Sequence, residues 1–535
     1  MNSIISKEFL TSALTAFDKY KRDKEALSLR IRENNYWYKA RYGKIINPAN
    51  NETLPSTAFI LSAIENKFSD ALDSFPVPNI LGRTPGNENI SEVLSKIVPT
   101  QLELSDFKNA YKINWRRKLK HGTGIYGIFY ADNKITVKAL SILNVYCDMH
   151  VNDVQQSQFL FIVNAVSNKK LISEYPQYAQ LFSGNTSVET FDGTHEAEDK
   201  SEIIDCYYKK GNAVHCMKLC AKQIIASTED EGLENGLYDH GNFPVVFDIL
   251  YPEEDCPFGF GIIDVAKNPQ MYIDKLDGAI IKNSILSSKI RFLIKDNGAI
   301  NEDEVINCDN DIIHVAGGID NDSIRELQIS NISNSVMDHR SKKIEELKEI
   351  VGNRDFQQGA TNNGVTAASA ITLLQETGGK LSRSMISDSY DCYKKIVLIV
   401  IELMRQFFTE THIFRITNSD GNTSYAGLSS ADLFYNHDEY ERRPIEFDIE
   451  VVPQKDTPFQ TESNNKTIME LWNSGIFNPD NIEGGIIAVS AMKFDGKEQL
   501  VEKLKEFREK LRHMEQIKSG ELIPVNEETI AMNIG

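Results

Sequence analysis

The chain has no stretch approaching the roughly 20 consecutive apolar residues that a membrane span requires, so no part of it is read as crossing a bilayer. Its first residues, Met1 to Lys7, lack a basic segment followed by an apolar one and are not read as a secretory signal. The expected place of synthesis and use is a cytoplasm. Cysteine is sparse and odd in number, with seven residues scattered through the sequence, which argues against a disulfide framework. Catalytic signatures are missing too. There is no G-x-x-x-x-G-K-[ST] to cradle a phosphate, no G-x-S-x-G elbow and no H-E-x-x-H. His195-Glu196 has no second histidine one helical turn later, and Asp296-Asn297-Gly298 and Asp309-Asn310-Asp311 lack the full EF-hand spacing. Positive charge is also in short supply: 58 Lys and Arg stand against 77 Asp and Glu, a formal net charge of −19. A protein that grips nucleic acid neutralises phosphates with Lys and Arg, whereas an acidic one repels it. This balance argues against a tight DNA binder and is compatible with a conduit through which DNA slides.

What is present organises itself around residues 262–410. Asn268-Pro269 reads as the opening of a helix, with proline where a missing N–H is tolerated, and Ile273, Leu276 and Ile280 as its stripe. Two short β runs follow, Ile290 to Ile294 and Ile312 to Val315, with a turn at Asp296-Asn297-Gly298. Ile332, Val336, Ile344, Leu347 and Val351 then mark a second helix that stops at Gly352-Asn353. A loop rich in side-chain amides comes next, Gln357, Gln358, Thr361, Asn362 and Asn363, with glycines at Gly359 and Gly364. From Thr366 the pattern is helical for roughly 45 residues, or about 65 Å. Ile386, Tyr390, Tyr393, Val397, Val400, Met404 and Phe407 step along it, and Gly378-Gly379 makes an early kink plausible.

The flanks are mixed, so the expected fold class is α+β. Residues from Lys7 to about Tyr42 read as helical, and so does the stripe Phe59, Ile60, Ala63, Ile64, Lys67 and Phe68, ended by Pro76-Val77-Pro78. Helical periodicity returns from Glu92 to about His121. Strands are expected at Ile125–Tyr130, Ile135–Ala139, Phe159–Val163, Ile203–Tyr208, Ala213–Leu219 and Val245–Ile249, and polar Ser183 to Ser201 reads as a surface loop. After the long helix, Ile413–Thr417 and Ile445–Val452 read as strands around a turn-rich Asn418–Gly427. Pro453 to Phe459 reads as a linker, and helices follow at Asn465–Trp472 and Glu498–Lys518.

Helix, compact insert, helix, amide loop and long helix, in that order, resemble the portal protein of tailed bacteriophages. Gly122-Thr123-Gly124 with the strand behind it, Lys134 to Lys138, and Asn144 to Asp148 are similar to that family's wing strands; Pro257-Phe258-Gly259-Phe260-Gly261 is similar to its lead-in to the stem. The resemblance implies a wing over residues 1–261, a stem helix over 262–288, a clip over 289–330, a second stem helix over 331–352 and a tunnel loop over 353–365. A long kinked helix over 366–410, wing return strands over 411–459 and a helical crown over 460–535 complete it. It implies a structural virion protein, not an enzyme, with no cofactor. About twelve copies would form a ring at one capsid vertex. The ring would pass double-stranded DNA and dock the terminase, then a head–tail adaptor, touching the major capsid protein and a scaffold, with no membrane partner and with assembly in the host cytoplasm. The tunnel-loop residues Gln357, Gln358, Thr361, Asn362 and Asn363 would face DNA, since amides contact phosphate without anchoring a counter-charge. The clip segment from Arg291 to Ser330 holds three basic and nine acidic residues, and its Glu302, Asp303 and Glu304 would dock a basic partner surface.

Other constellations have plainer readings beside the chemical ones. His215, Cys216 and Cys220, with Cys206 across a hairpin, offer soft zinc ligands, but the two-plus-two spacing is missing and buried, inert thiols are the favoured reading. Trp115-Arg116-Arg117-Lys118-Leu119-Lys120-His121 mixes an aromatic with positive charge, suiting either DNA or a salt-bridged subunit interface. The aromatic cluster from Asn34 to Tyr38 reads as packing against the wing. The alternatives to a portal are another connector or scaffold of the virion, which would lack the helix–insert–helix order, and a nucleic-acid enzyme, which would need a metal-binding carboxylate set.

Overall fold

The computed structural model describes residues 4–40, 56–84, 86–182, 184–211, 213–288, 292–294, 324–326, 332–352, 380–417, 423–435, 443–454, 458–475, 482–492, 494 and 496–518. The fold is mixed helix and sheet. Helices α1 (Lys7–Asp23), α2 (Glu25–Tyr38) and α3 (Phe59–Leu72) lead into strand β1 (Phe75–Gly82) and helices α4 (Glu88–Leu104) and α5 (Phe107–His121). Strands β2 (Thr123–Ala131), β3 (Lys134–Leu140), β4 (Val145–Tyr146) and β5 (Phe159–Ser167) follow, then α6 (Asn168–Glu174), and strands β6 (Thr186–Thr190), β7 (Gly193–Ala197), β8 (Lys200–Lys210), β9 (Ala213–Cys220), β10 (Gln223–Ser227) and β11 (Val245–Ile249). The second half holds α7 (Ile262–Ser288), β12 (Phe292–Ile294), β13 (Ile324–Glu326), α8 (Asn334–Val351), α9 (Lys380–Phe407), β14 (His412–Thr417), β15 (Thr423–Leu428), β16 (Phe447–Gln454), α10 (Pro458–Asn473), α11 (Ile482–Ala491) and α12 (Lys497–Lys518).

Two sheets make the body. One runs β11-β2-β3 and the other β10-β9-β8-β5-β4, all pairs antiparallel. The main core packs α2 to α5, the three-stranded sheet, the first half of α7 and the buried stripe of α9 together, with Trp115, Leu119, Ile125, Ile263, Val397 and Val400 at its centre. A second core lays α1 on the five-stranded sheet, where Phe9 meets Phe159 and Tyr208, and Phe17 meets Phe161 and Tyr146.

Glycine is required where the chain crosses itself. Gly122 ends α5 at φ 91°, and a Cβ there would lie 2.4 Å from the Phe260 backbone. The Gly122 and Pro257–Gly261 motifs, far apart in sequence, therefore meet backbone to backbone.

Several expectations are corrected. The N-terminal helix breaks in two at Lys24, whose buried ammonium donates to the carbonyls of Ile142 and Val145 and lies over the Tyr146 ring. The helix expected over 92–121 breaks at Asp106, which adopts a left-handed φ of 56°. Pro269 does not open a helix: α7 begins at Ile262, because Ile262, Ile263 and Ala266 are buried in the core and hold the turn that proline weakens. Pro76-Val77-Pro78 is strand. In the β1–β16 register, Arg83 donates to Glu446, so the backbone N–H and C=O of alternate residues from Phe75 to Leu81 point to β16, while the backbone of Pro76, Pro78 and Ile80, whose side chains are buried, points away from it. The prolines thus sit where no ladder N–H is needed, and Ser95 satisfies both the N–H and the C=O of Ile80. The expected loop at 183–201 contains the β6–β7 hairpin, the turn-rich 418–427 stretch carries β15, which pairs with β14, and the expected linker at 453–459 takes in the end of β16 and the start of α10. In the central insert β12 pairs with β13, and Ile312–Val315 lies outside the described residues.

Candidate functional site

The helices that bracket the insert and the amide loop are the place to look, since the candidate clip and tunnel-loop residues lie between them. α7 and α8 pack side by side. Ser333 caps the start of α8 and Gly352, at φ 67°, ends it. Arg340 of α8 clasps Asp277 of α7 through two donors, one of them Nη2 to Oδ2 at 3.2 Å. One turn earlier, the buried Asp274 accepts from the Thr57 N–H at 3.1 Å, the Thr57 hydroxyl at 2.7 Å and Gln270 Nε2 at 3.1 Å. Burial pushes the Asp274 carboxyl up to about 7.

Past Asp277, α7 contains no buried residue. Its exposed apolar side chains are Val265 and Tyr272 on the first half and Ile281 and Ile285 on the second. At roughly 100° per residue, the nine steps from Tyr272 to Ile281 turn the helix to its opposite face. Val265 and Tyr272 share one side, and Ile281 and Ile285 the other. Met337 of α8 adds a further exposed apolar group. One subunit therefore presents apolar surface in two directions.

The start of α9 is held from within. Lys67 of α3, buried in the apolar stripe, donates to the Gly352 carbonyl at 3.0 Å and to Ser382 Oγ at 2.8 Å, and Ser382 donates to Asp70 at 2.8 Å. Burial pushes the Lys67 ammonium down from its ordinary value. Seven residues further along α9, Ser389 Oγ lies 2.6 Å from Lys118 Nζ and donates to Asp248 Oδ2 at 2.8 Å, while Lys118 also meets Asp248 Oδ1 at 2.6 Å.

Much of the basic run 115–121 is engaged within the subunit. Lys118 is enclosed, Arg116 pairs with Glu65 at 3.0 Å, Arg117 donates to the Leu140 carbonyl at 2.7 Å, and Lys120 lies over the Tyr38 ring. The aromatic segment packs within the subunit: Trp37 is buried in the main core, Asn34 donates to Asp264 and Tyr38 to Glu65. The thiols are not brought together. Cys206, Cys216 and Cys220 belong to three different apolar clusters, and burial pushes Cys216 up to about 12, far from the thiolate a metal or a substrate would need. His215 Nδ1 pairs with Thr228 Oγ1 at 3.1 Å.

Gln357, Gln358, Thr361, Asn362 and Asn363 lie outside the described residues, as do Glu302, Asp303, Glu304 and the Gly378-Gly379 pair. The ends of the segments that carry them are placed: the β12–β13 pair joins the two ends of residues 295–323, and Lys67 joins Gly352 to Ser382 across residues 353–379. Reading the sequence missed the roles of Lys67 and Lys118. The signal for Lys67 was a lysine in an apolar helical stripe, which burial can accommodate only with partners.

Among the described residues, no helix is long and apolar enough to cross a membrane, and no group of three or more His, Cys, Asp or Glu could hold a metal. A comparison with curated proteins finds no match. The family model described as phage P22-like portal protein matches residues 227–521, from the end of β10 past α12, which is more than half of the chain. The sequence, through its central helices, insert and C-terminal helices, belongs to the P22-like phage portal protein family, a family of structural proteins of the virion.

Proposed function

We propose that the chain is the subunit of a closed ring, of about twelve copies, set at one vertex of the capsid as the channel for double-stranded DNA. The family match across the central helices carries this reading. The two opposed apolar faces of α7 support it, because a heterologous interface needs two different patches per subunit and makes a ring when its rotation closes. In this reading α7 and α8 are the stem, residues 289–330 the clip, residues 353–365 the tunnel loop, residues 366–410 the long kinked helix and residues 460–535 the crown. Residues 1–261 and the return strands over 411–459 form the wing. The ring docks the terminase during packaging and a head–tail adaptor afterwards, with the major capsid protein and a scaffold as neighbours, assembles in the host cytoplasm and performs no catalysis. Negative-stain imaging of the purified protein tests the assembly: rings with a central channel are expected, and a compact monomer under every condition, including inside virions, would sink the reading.

Within that ring the amides of Gln357, Gln358, Asn362 and Asn363, with the Thr361 hydroxyl, touch passing phosphates through weak, equivalent contacts. Deleting residues 358–363 is expected to leave rings intact and to impair packaging or retention of DNA; wild-type packaging and retention together would show the loop to be passive. The acidic clip residues Glu302, Asp303 and Glu304 face a basic surface on the terminase or the adaptor. Reversing all three to Lys is expected to weaken docking, and more strongly at low salt. Unchanged docking at low salt would show that they are only solvated.

A further inference from the structure

The two buried lysines that meet α9 do more than neutralise carboxylates. Lys67 and Lys118 come from different helices, α3 and α5, yet each donates to a serine on the same strip of α9, Ser382 and Ser389. Those serines are seven residues apart, two helical turns or about 10.5 Å. A slide of α9 by one turn toward its N-terminus would place Met385 or Ile386 against Lys67 and Cys392 or Tyr393 against Lys118; only Tyr393 carries a hydroxyl, and it sits at the far end of a ring rather than on Cβ. Each buried ammonium would lose its serine, and Asp248 and Asp70 would lose the donors Ser389 and Ser382, so a one-turn slide is disfavoured. Lys67 carries a second bond, to the carbonyl of Gly352 at the C-terminal end of α8, where a helix favours positive charge. The same ammonium therefore touches the last residue before 353–379 and the third residue of α9.

We infer that Lys67 and Lys118 lock the axial register of α9, and that Lys67 is a positioning residue that ties the end of α8 to the start of α9. The two ends of residues 353–379 are then held together whatever passes beside them, and α9 moves only together with α3 and α5. This rests on the proposed ring only for its consequence: if the 353–365 loop contacts DNA, its two anchor points are fixed to the body by Lys67.

Hydrogen–deuterium exchange on the full-length protein tests the lock. Lys67→Met is expected to speed exchange about tenfold to a hundredfold in the last turn of α8 and the first two turns of α9, the range expected for losing hydrogen bonds to a charged group. The β8–β9 hairpin should keep its wild-type rates. Ser382→Ala should speed exchange in α9 alone, because the Lys67–Gly352 bond survives, and the double variant should fall short of the sum of the two single effects, exceeding Lys67→Met only by the lost Ser382–Asp70 bond. Ser382→Ala removes one hydroxyl and leaves both charges in place, so it carries the test if Lys67→Met does not fold. A uniform rise in all peptides, no rise in any, or strict additivity would overturn the proposal. The 358–363 deletion separates it from the functional reading. Wild-type DNA retention in that variant with the exchange pattern intact removes the loop's role and leaves the lock standing. Lost retention, with Lys67→Met exchanging like wild type, removes the lock and leaves the loop's role.

Discussion

Within the body, charge is enclosed and matched: Lys118 is 0% and Asp248 2% exposed, and each finds the other and Ser389. On the far half of α7 the pattern reverses, with Ile281 48% and Ile285 52% exposed and no buried residue beyond Asp277. The body buries Lys24, Lys67 and Lys118 with partners, whereas α7 beyond Asp277 buries nothing and keeps Ile281 and Ile285 in water. A region that encloses polar groups with partners is complete as a single chain. A region that leaves apolar groups uncovered on two faces is complete only against something else.

The largest effect separating the two regions should come from inside the body. Lys118→Ala leaves Asp248 buried without its counter-charge, and such losses cost about 3–5 kcal/mol. Denaturant unfolding of the subunit should show that drop; a loss under about 1 kcal/mol would mean that the triad is not sealed from water. A substitution on the projecting helix should do the opposite. Ile281→Asp combined with Ile285→Asp is expected to leave subunit stability within about 0.5 kcal/mol per site, as for exposed positions, while shifting the assembly toward monomers. Light scattering over a range of concentrations reads the second effect, and rings that persist at every concentration would show that these residues are not at the interface. The smallest effect lies at the seam between the regions. Asp274 holds its proton in the fold up to about pH 7, against an ordinary value near 3.8. The folded subunit thus keeps a proton that the unfolded chain has released across that window, so this residue's contribution is complete below about pH 4 and is lost as pH rises toward 7. Relative to Asp274→Asn, the wild type should therefore lose roughly 2 kcal/mol between pH 5 and pH 8, about 1.4 kcal/mol for each pH unit over which only the folded state keeps the proton. Parallel pH profiles for the two proteins would contradict this.

The same contrast marks what could be read in advance. Runs of β-branched and aromatic residues announced β9 and β11 nearly to their ends, the middles of β2 and β8 and the first half of β5, and the step of three and four announced α9. Gly352 marked the stop of α8, because a left-handed residue there is cheapest as glycine. β1 was hidden by its own prolines, whose placement is tolerable only in one parity of a pairing with β16 more than 360 residues away. Lys24 and Asp106 interrupt helices whose periodicity runs straight through them, so those breaks were invisible locally. The candidate site was legible as composition, an uncharged amide loop and an acidic insert between helices, and its flanking geometry was not.

By itself the sequence determined the kinds and order of elements, the surplus of negative charge and the resemblance to a portal, since each rests on local periodicity, turn chemistry or simple counts. Only the tertiary structure decided where the lysines went. Whether Lys67 and Lys118 meet water, DNA or a serine depends on which distant helix packs over them, and burial, which no local pattern records, is what obliges them to take Ser382, Ser389, Asp248 and the Gly352 carbonyl as partners.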